Sequence, residues 1–150
     1  MDKYNYGYIR TPIIEESSLF HRGIGESTDI VTKETYDFVD KGKRNISLRP
    51  EGTAGVVRSY IENKMYGNRN DTVKLYYLGT MYRYERPQAG RFREFTQFGI
   101  EALGSKEEAI DAEVISIGYN ILKELGLDDV TVSINSLGDN VVKYLVKTEA

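Results

Sequence analysis

Residues 83–101 read RYERPQAGRFREFTQFGIE. The Pro-Gln-Ala-Gly run at 87–90 has the composition of a tight turn, and mixed apolar and charged residues continue on both sides of it. This pattern predicts a β-hairpin with strands at 73–85 and 92–103. Because successive side chains of a strand point to opposite faces, the hairpin also determines which residues can act together.

Alternation along the two strands predicts one polar face and one core face. The polar face combines charge, amide and glycine: Gly79, Met81, Arg83 and Glu85 on the first strand, and Arg93, Phe95, Gln97, Gly99 and Glu101 on the second. The opposite face has the apolar composition of a core face: Leu78, Tyr82, Tyr84, Phe92, Phe98 and Ile100. The polar face either binds a ligand or is a solvated face with Arg–Glu pairs.

The residue types on the polar face suit a small ligand that carries a phosphate and a base. Arg83 has a planar guanidinium that pairs with phosphate oxygens, and Phe95 offers a flat surface to a base. Gln97 and Glu101 offer oxygen acceptors to an ammonium group. Glycines 79 and 99 would let such a ligand approach the backbone closely.

A second candidate lies at Glu51 and Thr53, between a predicted strand and a predicted helix N-terminus. A carboxylate in that place can cap the helix, or it can accept a substrate ammonium. Capping is the simpler interpretation for the residue pattern alone.

Outward from the hairpin, the rest of the chain predicts an α+β domain. Strand pairs joined by short turns indicate an antiparallel sheet with helices packed on it. Ser105 with Glu108 has the pattern of a capping box, and Gly126 that of a helix stop. The other predicted elements are an extended run at 4–14, a short helix at 15–22, a loop at 23–29, a hairpin at 35–49, a helix at 53–66, a helix at 106–125, a strand at 130–135 and a helix start at 140–147.

Composition restricts the function further. A chain of 150 residues is expected to form one domain. A net charge of −3 and a pI of about 5.3 argue against coating nucleic acid, whereas arginines gathered at one turn fit a small anion. The chain has no cysteine, no GxGxxG and no GxxxxGK[ST], and no metal site is expected. Without a signal peptide or a long apolar run, we expect a cytoplasmic protein.

Several long stretches resemble class II aminoacyl-tRNA synthetases, and specifically the histidyl-tRNA synthetase family. YLGTMYRYERPQAGRFREFTQFGIEALG, at 77–104, is similar to motif 2 of that class. The resemblance runs from about residue 4 to about residue 140. Further stretches that carry it are YGYIRTPIIEE at 6–16, LFHRGIGESTDIVTKETYDFVD at 19–40, ISLRPEGTAGVVRSYIE at 46–62 and INSLGD at 134–139.

The resemblance implies the fold of the class II catalytic core, which is an antiparallel sheet flanked by helices. Only part of this core would be present. Residues 1–150 would be a partial catalytic domain without an anticodon-binding domain, since motif 3 and the long motif 1 helix have no counterpart. The implied reaction joins histidine and ATP as histidyl-adenylate. The full-length enzyme, a cytoplasmic homodimer, would then charge tRNA(His). The piece alone would be weakly active or inactive.

The resemblance also assigns ATP-binding roles. Arg83 matches the catalytic arginine that holds the α-phosphate, and Glu85 matches the glutamate beside adenine. Phe95 matches the aromatic residue that stacks on adenine. Arg91 or Arg93 would support the phosphates, and the resemblance does not separate them. Mg²⁺ would arrive with ATP, held largely by phosphates.

Histidine would be bound next to ATP. Glu51, Thr53 and Gln97 match residues around the ammonium group of the amino acid, and Glu101 matches a position in the histidine pocket. The implied alternative is a synthetase-like regulatory subunit of ATP phosphoribosyltransferase, which lacks aminoacylation activity. Matches at the ATP-site positions favour the enzyme over that subunit. A third interpretation is an interaction module that shares only the fold.

Overall fold

The computed structural model describes residues 1–21, 34–67 and 72–134. Contact clustering divides the chain into two compact units, residues 1–114 and residues 115–150. The loop predicted at 23–29 and the helix start predicted at 140–147 lie outside the described residues.

Among its described residues, the first unit has six strands in two sheets. Their bounds are β1 Gly7–Tyr8, β2 Ile14–Glu16, β3 Tyr36–Val39, β4 Asn45–Leu48, β5 Val73–Tyr82 and β6 Glu94–Leu103. One sheet has the order β1-β5-β6 and the other the order β2-β4-β3. The predicted α+β class is confirmed. The strands divide between two sheets, however. β1 pairs with β5 in parallel, which the long connection between them allows.

The two predicted hairpins are both present. β3 and β4 pair antiparallel over four residues each, from Tyr36 opposite Leu48 to Val39 opposite Asn45. β5 and β6 pair in register over their full length, from Val73 opposite Leu103 to Tyr82 opposite Glu94. At the turn, the pairing stops short of the predicted strands: β5 ends three residues before residue 85, and β6 begins two residues after residue 92.

The helices are shorter than predicted at their ends. Their bounds are a single 3₁₀ turn at Asp2–Tyr4, α1 Ser17–His21, α2 Thr53–Glu62 and α3 Glu108–Glu124. The helix predicted at 15–22 starts late because Glu15 and Glu16 pair with β4 as part of β2. α2 ends before Gly67 because Lys64 already has a left-handed backbone, with φ of 50°.

The termini of α3 agree better with the sequence. Gly126 has φ of 83° and stops the helix as predicted. The Ser105 hydroxyl accepts a hydrogen bond from the backbone amide of Glu107, one residue before α3, at 3.1 Å. A capping box would instead join Ser105 to the amide of Glu108. None of the described helices combines the length and the apolar content needed to cross a membrane.

The prediction of a strand at 130–135 is wrong for residues 130–134, the part that the structure describes. Residues 130–134 have no regular secondary structure. A strand requires a hydrogen-bonding partner, and no strand among the described residues pairs with this segment.

The core lies on the face of β5 and β6 that was predicted to be polar. Met81 and Tyr77 are buried there, 1% and 6% exposed, and both pack with Val56 of α2. Leu78 and Phe98 on the predicted core face are 57% and 40% exposed. The prediction that odd-numbered residues share a face is therefore confirmed, but the assignment of the core was wrong. Composition misled because the odd-numbered face is mixed: Val56 of α2 packs on its apolar residues Tyr77 and Met81, while Thr53 at the start of α2 contacts the polar Glu101.

The space above two strand glycines is filled by protein side chains. A Cβ on Gly99 would overlap the ring of Tyr77, and a Cβ on Gly79 would lie 2.6 Å from a terminal nitrogen of Arg49. Arg49 is buried and donates to the backbone carbonyls of Thr80 at 2.9 Å and Thr11 at 2.8 Å. The expectation that these glycines admit a ligand was wrong.

Gly99→Ala is expected to lower the free energy of unfolding by about 1–3 kcal/mol, because the added methyl group must displace the buried Tyr77 ring. Urea denaturation would measure the change. Gly118→Ala is the control, since a Cβ at Gly118 in α3 meets no heavy atom within 4 Å. That variant should be stabilised by up to about 1 kcal/mol. Equal stability of Gly99→Ala and wild type would contradict the close contact.

Candidate functional site

The predicted site residues lie along one face of the β5–β6 hairpin and at the start of α2. On β6, Phe95 pairs with Met81, Gln97 with Gly79, and Glu101 with Leu75. The distance from Phe95 to Glu101 along the strand is about 20 Å, given roughly 3.3 Å per residue. The face therefore has an arginine-rich end near the turn and a carboxylate-rich end near α2.

A cleft of about 630 Å³ lies at the turn end of the hairpin, within the usual size range of ligand pockets. We call it the arginine cleft. It contains four of the five residues predicted to bind ATP. Its lining is Glu34, Arg83, Glu85, Gly90, Arg91, Phe92, Phe95 and Thr96.

Arg83 is held in this cleft by the backbone of another segment. Its Nε donates to the Pro50 carbonyl at 2.8 Å. Its guanidinium carbon lies 5.1 Å from the centre of the Phe95 ring, a cation–π distance. Because the backbone uses only Nε, the terminal nitrogens can pair with the oxygens of an anion.

Glu85 lies between two arginines of the cleft. Its carboxylate oxygens are 3.7 Å from a terminal nitrogen of Arg83 and 3.8 Å from Nε of Arg91. Arg93 has a different environment, with its guanidinium 4.4 Å above the Tyr84 ring and its Nε donating to the Glu85 carbonyl at 3.2 Å. The structure thus separates the two loop arginines: Arg91 lines the cleft and Arg93 does not.

The other end of the face holds Glu51, Thr53 and Glu101, which we call the carboxylate cluster. Glu51 accepts the backbone amides of Thr53 at 2.5 Å and Ala54 at 2.9 Å, so it caps α2 as predicted. The Thr53 hydroxyl donates to Glu101 at 2.6 Å. Among the described residues no arginine or lysine forms an ion pair with either carboxylate.

Burial changes the proton affinity of Glu101. Burial raises the pKa of Glu101, the hydrogen bond from Thr53 partly opposes this, and the negative charge of Glu51 raises the pKa further. Burial also raises the pKa of Tyr77, whose hydroxyl lies close to the same carboxylates. Two carboxylates without a basic partner form a favourable place for a cationic group.

Gln97 has an unsatisfied acceptor on the same face. Its Oε1 is buried, and no hydrogen-bond partner for it occurs among the described residues. Such an atom costs about 1–3 kcal/mol unless a donor reaches it. A ligand with an N–H group would supply that donor. No three His, Cys, Asp or Glu side chains of the described part are grouped so that they could hold a metal ion.

Two buried residues near the site were not among the predicted site residues. Tyr77 has an odd number, which places it on the site face, opposite Gly99. Arg49 precedes Pro50 and Glu51, and its burial depends on carbonyls from distant segments. Alternation was a usable signal for Tyr77, whereas nothing local marks Arg49 as buried.

Glu101→Gln is expected to stabilise the fold at neutral pH. A carboxyl whose pKa is raised by folding contributes stability at pH values below its unfolded pKa, and that contribution is lost as pH rises through the folded pKa. A glutamine at this position does not ionise, so the variant does not lose stability as the pH rises. Thermal unfolding should show a higher Tm for the variant at neutral pH and a difference that vanishes under acidic conditions. A constant difference at all pH values would exclude this titration.

Comparisons with known proteins identify the family of the chain. The sequence model of the histidyl-tRNA synthetase family matches residues 1–149. The chain belongs to the histidyl-tRNA synthetase family. It is 64% identical over 137 residues to the histidine–tRNA ligase of Anoxybacillus flavithermus (strain DSM 21510 / WK1), covering 91% of this chain and 32% of that protein. The chain spans about a third of the length of the curated relatives it matches.

Solved structures of the family show the same fold. Apo histidyl-tRNA synthetase of S. aureus is 48% identical with a TM-score of 0.70, over 85% of this chain and 28% of that one. An ATP phosphoribosyltransferase regulatory subunit/histidyl-tRNA synthetase from Bacillus halodurans C is 26% identical with a TM-score of 0.70, over 85% of this chain and 31% of that one. The fold is that of class II synthetases.

Proposed function

We propose that this chain carries the ATP- and histidine-binding surface of a histidine–tRNA ligase and uses it to form histidyl-adenylate. One observation carries the proposal: a single face of the β5–β6 hairpin holds the arginine cleft at one end and the carboxylate cluster at the other. The cleft suits an anion beside an aromatic ring, and the cluster suits a cation. A histidyl-adenylate has both features.

At the arginine cleft, Arg83 would bind the α-phosphate and stabilise the charge that develops as the phosphorus is attacked. Phe95 would stack on adenine, and Glu85 would accept a hydrogen bond from its amino group. Arg91 is the better placed loop arginine for the outer phosphates, with Arg93 as a candidate if the loop rearranges. Mg²⁺ would enter with ATP and be held through the phosphates.

At the carboxylate cluster, Glu51, Thr53 and Gln97 would surround the ammonium group of histidine. Glu101 would face the imidazole and accept a hydrogen bond from a ring N–H. The unsatisfied Oε1 of Gln97 and the unpaired carboxylates support these roles. The ligand would supply the donors that the described residues lack.

The chemistry of this step requires positioning more than proton transfer. The histidine carboxylate is the nucleophile, so no protein base is needed for its attack on the α-phosphorus. Pyrophosphate leaves as the acyl phosphate bond forms. In the full-length enzyme, a cytoplasmic homodimer, the histidyl group would pass to tRNA(His). Within that enzyme, residues 1–150 would be part of the catalytic domain, without the anticodon-binding domain.

A second candidate function has one observation in its favour, the structural similarity to the Bacillus halodurans regulatory subunit/synthetase. A regulatory subunit of ATP phosphoribosyltransferase would bind histidine without using ATP as a substrate. The intact arginine cleft favours the ligase, because a histidine sensor needs no adenine-stacking ring beside an arginine. The identity to S. aureus histidyl-tRNA synthetase is also higher, 48% against 26%.

The test is calorimetric binding of a non-hydrolysable histidyl-adenylate analogue, with the prolyl analogue and ATP alone as controls. We expect binding of the histidyl analogue and weaker binding of the prolyl one. Histidine binding without any affinity for ATP would favour the regulatory subunit. A folded chain that binds none of these compounds would overturn the proposal.

A further inference from the structure

Glu34 lines the arginine cleft, and the proposed function gives it no role. The residue is half-buried and lies two positions before β3. The other carboxylate of the cleft, Glu85, lies close to two arginines. Glu34, by contrast, forms no ion pair with an arginine or lysine of the described residues. Its carboxylate is therefore not neutralised by a described side chain and can accept hydrogen bonds from a ligand.

Two contacts fix the place of Glu34 relative to the β5–β6 hairpin. The backbone amide of Tyr84 donates to the Glu34 carbonyl at 2.7 Å. The ring of Tyr36, two residues after Glu34, packs edge-on against the Tyr84 ring, with 5.4 Å between the ring centres. Glu34 thus lies beside the residue that separates Arg83 from Glu85 in the chain.

This place corresponds to the middle of a nucleotide bound in the cleft. The proposed function puts the α-phosphate on Arg83 and the adenine amino group on Glu85. In ATP the ribose joins those two groups, so its hydroxyls would lie nearest to Glu34. A carboxylate has two acceptor oxygens, which can serve two neighbouring hydroxyls. In dinucleotide-binding folds an acidic side chain binds a ribose hydroxyl in the same manner.

We infer that Glu34 is a specificity-determining residue whose carboxylate accepts hydrogen bonds from the 2′- and 3′-hydroxyls of the ATP ribose. The inference rests on the proposed function for the identity of the ligand, and adds the selection of ribonucleotides over deoxyribonucleotides. A carboxylate near the phosphates of ATP also repels their negative charge. The hydroxyl hydrogen bonds compensate for this repulsion, and a nucleotide that lacks a hydroxyl loses that compensation.

The test is calorimetric titration of ATP, 2′-deoxyATP and 3′-deoxyATP, each with Mg²⁺, into wild type and Glu34→Ala. The quantity compared is the ratio of the affinity for ATP to the affinity for each deoxy analogue. The three nucleotides carry the same phosphates, so the effect of removing a negative charge from the cleft cancels in this ratio. We expect a ratio of roughly ten in wild type, the size of one hydrogen bond to a charged group, and a ratio within about twofold of one in Glu34→Ala.

Two glutamine variants complete the experiment. Glu34→Gln keeps the size of the side chain and one acceptor oxygen, so we expect a reduced ratio of about three. This variant also tests the inference if circular dichroism shows that Glu34→Ala does not fold. Glu94 is an exposed carboxylate on the opposite face of β6, and Glu94→Gln is the matched control, which should keep the wild-type ratio.

The outcomes distinguish the inference from the proposed function. A wild-type ratio retained in the folded Glu34 variants would overturn the inference, as would equal binding of all three nucleotides by wild type. Equal losses of affinity for all three nucleotides in the Glu34 variants would indicate a structural or Mg²⁺-binding role and would also overturn it. Absence of nucleotide binding by wild type would overturn the proposed function instead.

Discussion

Arg83→Ala is expected to weaken binding of a histidyl-adenylate analogue by about two orders of magnitude while the chain stays folded. Hydrogen bonds to charged groups are worth about 1.5–3 kcal/mol each, and about 3 kcal/mol corresponds to roughly a hundredfold. The guanidinium of Arg83 also lies over the ring of Phe95, the residue proposed to stack on adenine, so the substitution removes that contact as well. Calorimetry with the analogue, alongside circular dichroism of the free protein, measures both parts of the prediction.

Two further variants separate charge from geometry at this position. Arg83→Lys keeps the positive charge but lacks the planar fork, and we expect it to recover only part of the affinity. Arg86→Ala removes an exposed arginine from the same turn, outside the cleft lining, and should bind as wild type. Equal affinity of wild type and Arg83→Ala would remove Arg83 from the site. Equal losses in Arg83→Ala and Arg86→Ala would indicate a general charge effect.

Glu101→Gln is expected to weaken histidine binding by about tenfold to a hundredfold and to leave the affinity for ATP alone within about twofold. The substitution keeps the size of the side chain and removes the charge, so it replaces a charge-assisted hydrogen bond with a neutral one. The selectivity follows from position, because Glu101 lies at the end of β6 away from the arginine cleft. Separate calorimetric titrations with histidine and with ATP measure the two affinities.

Glu94→Gln is the matched control for this variant. Glu94 lies on the same strand, points to the opposite face and is exposed, so the same loss of charge should leave both affinities unchanged. An equal loss of histidine and ATP affinity in Glu101→Gln would place Glu101 outside the histidine pocket. Unchanged histidine affinity would have the same meaning.

Glu101→Gln should therefore gain stability at neutral pH while it loses ligand affinity. Both effects have one physical cause, a carboxylate partly removed from water with Glu51 nearby and no basic partner among the described residues. A protein keeps such a group when a bound cation compensates for its cost. Opposite changes in stability and binding would distinguish a binding carboxylate from one that only supports the fold.

Local sequence signals predicted many of the elements, and their failures share a cause. The hairpin around Pro87–Gly90, α2 and α3 were recognisable from turn residues and periodicity, because these depend on neighbours along the chain. Glu15 and Glu16 have helix-compatible side chains, yet they pair with β4, a contact that depends on a distant strand. The segment at 130–134 has strand propensity but no pairing strand among the described residues.

The sequence by itself determined the family, the hairpin and the set of residues that share its odd-numbered face, because long motifs and the two-residue period of a strand are local properties. The tertiary structure alone decided that this face also carries the core, since α2 places Val56 against Tyr77 and Met81. It also placed Arg91 in the cleft and Arg93 over Tyr84. These outcomes depend on contacts between segments far apart in the chain, which no local pattern encodes.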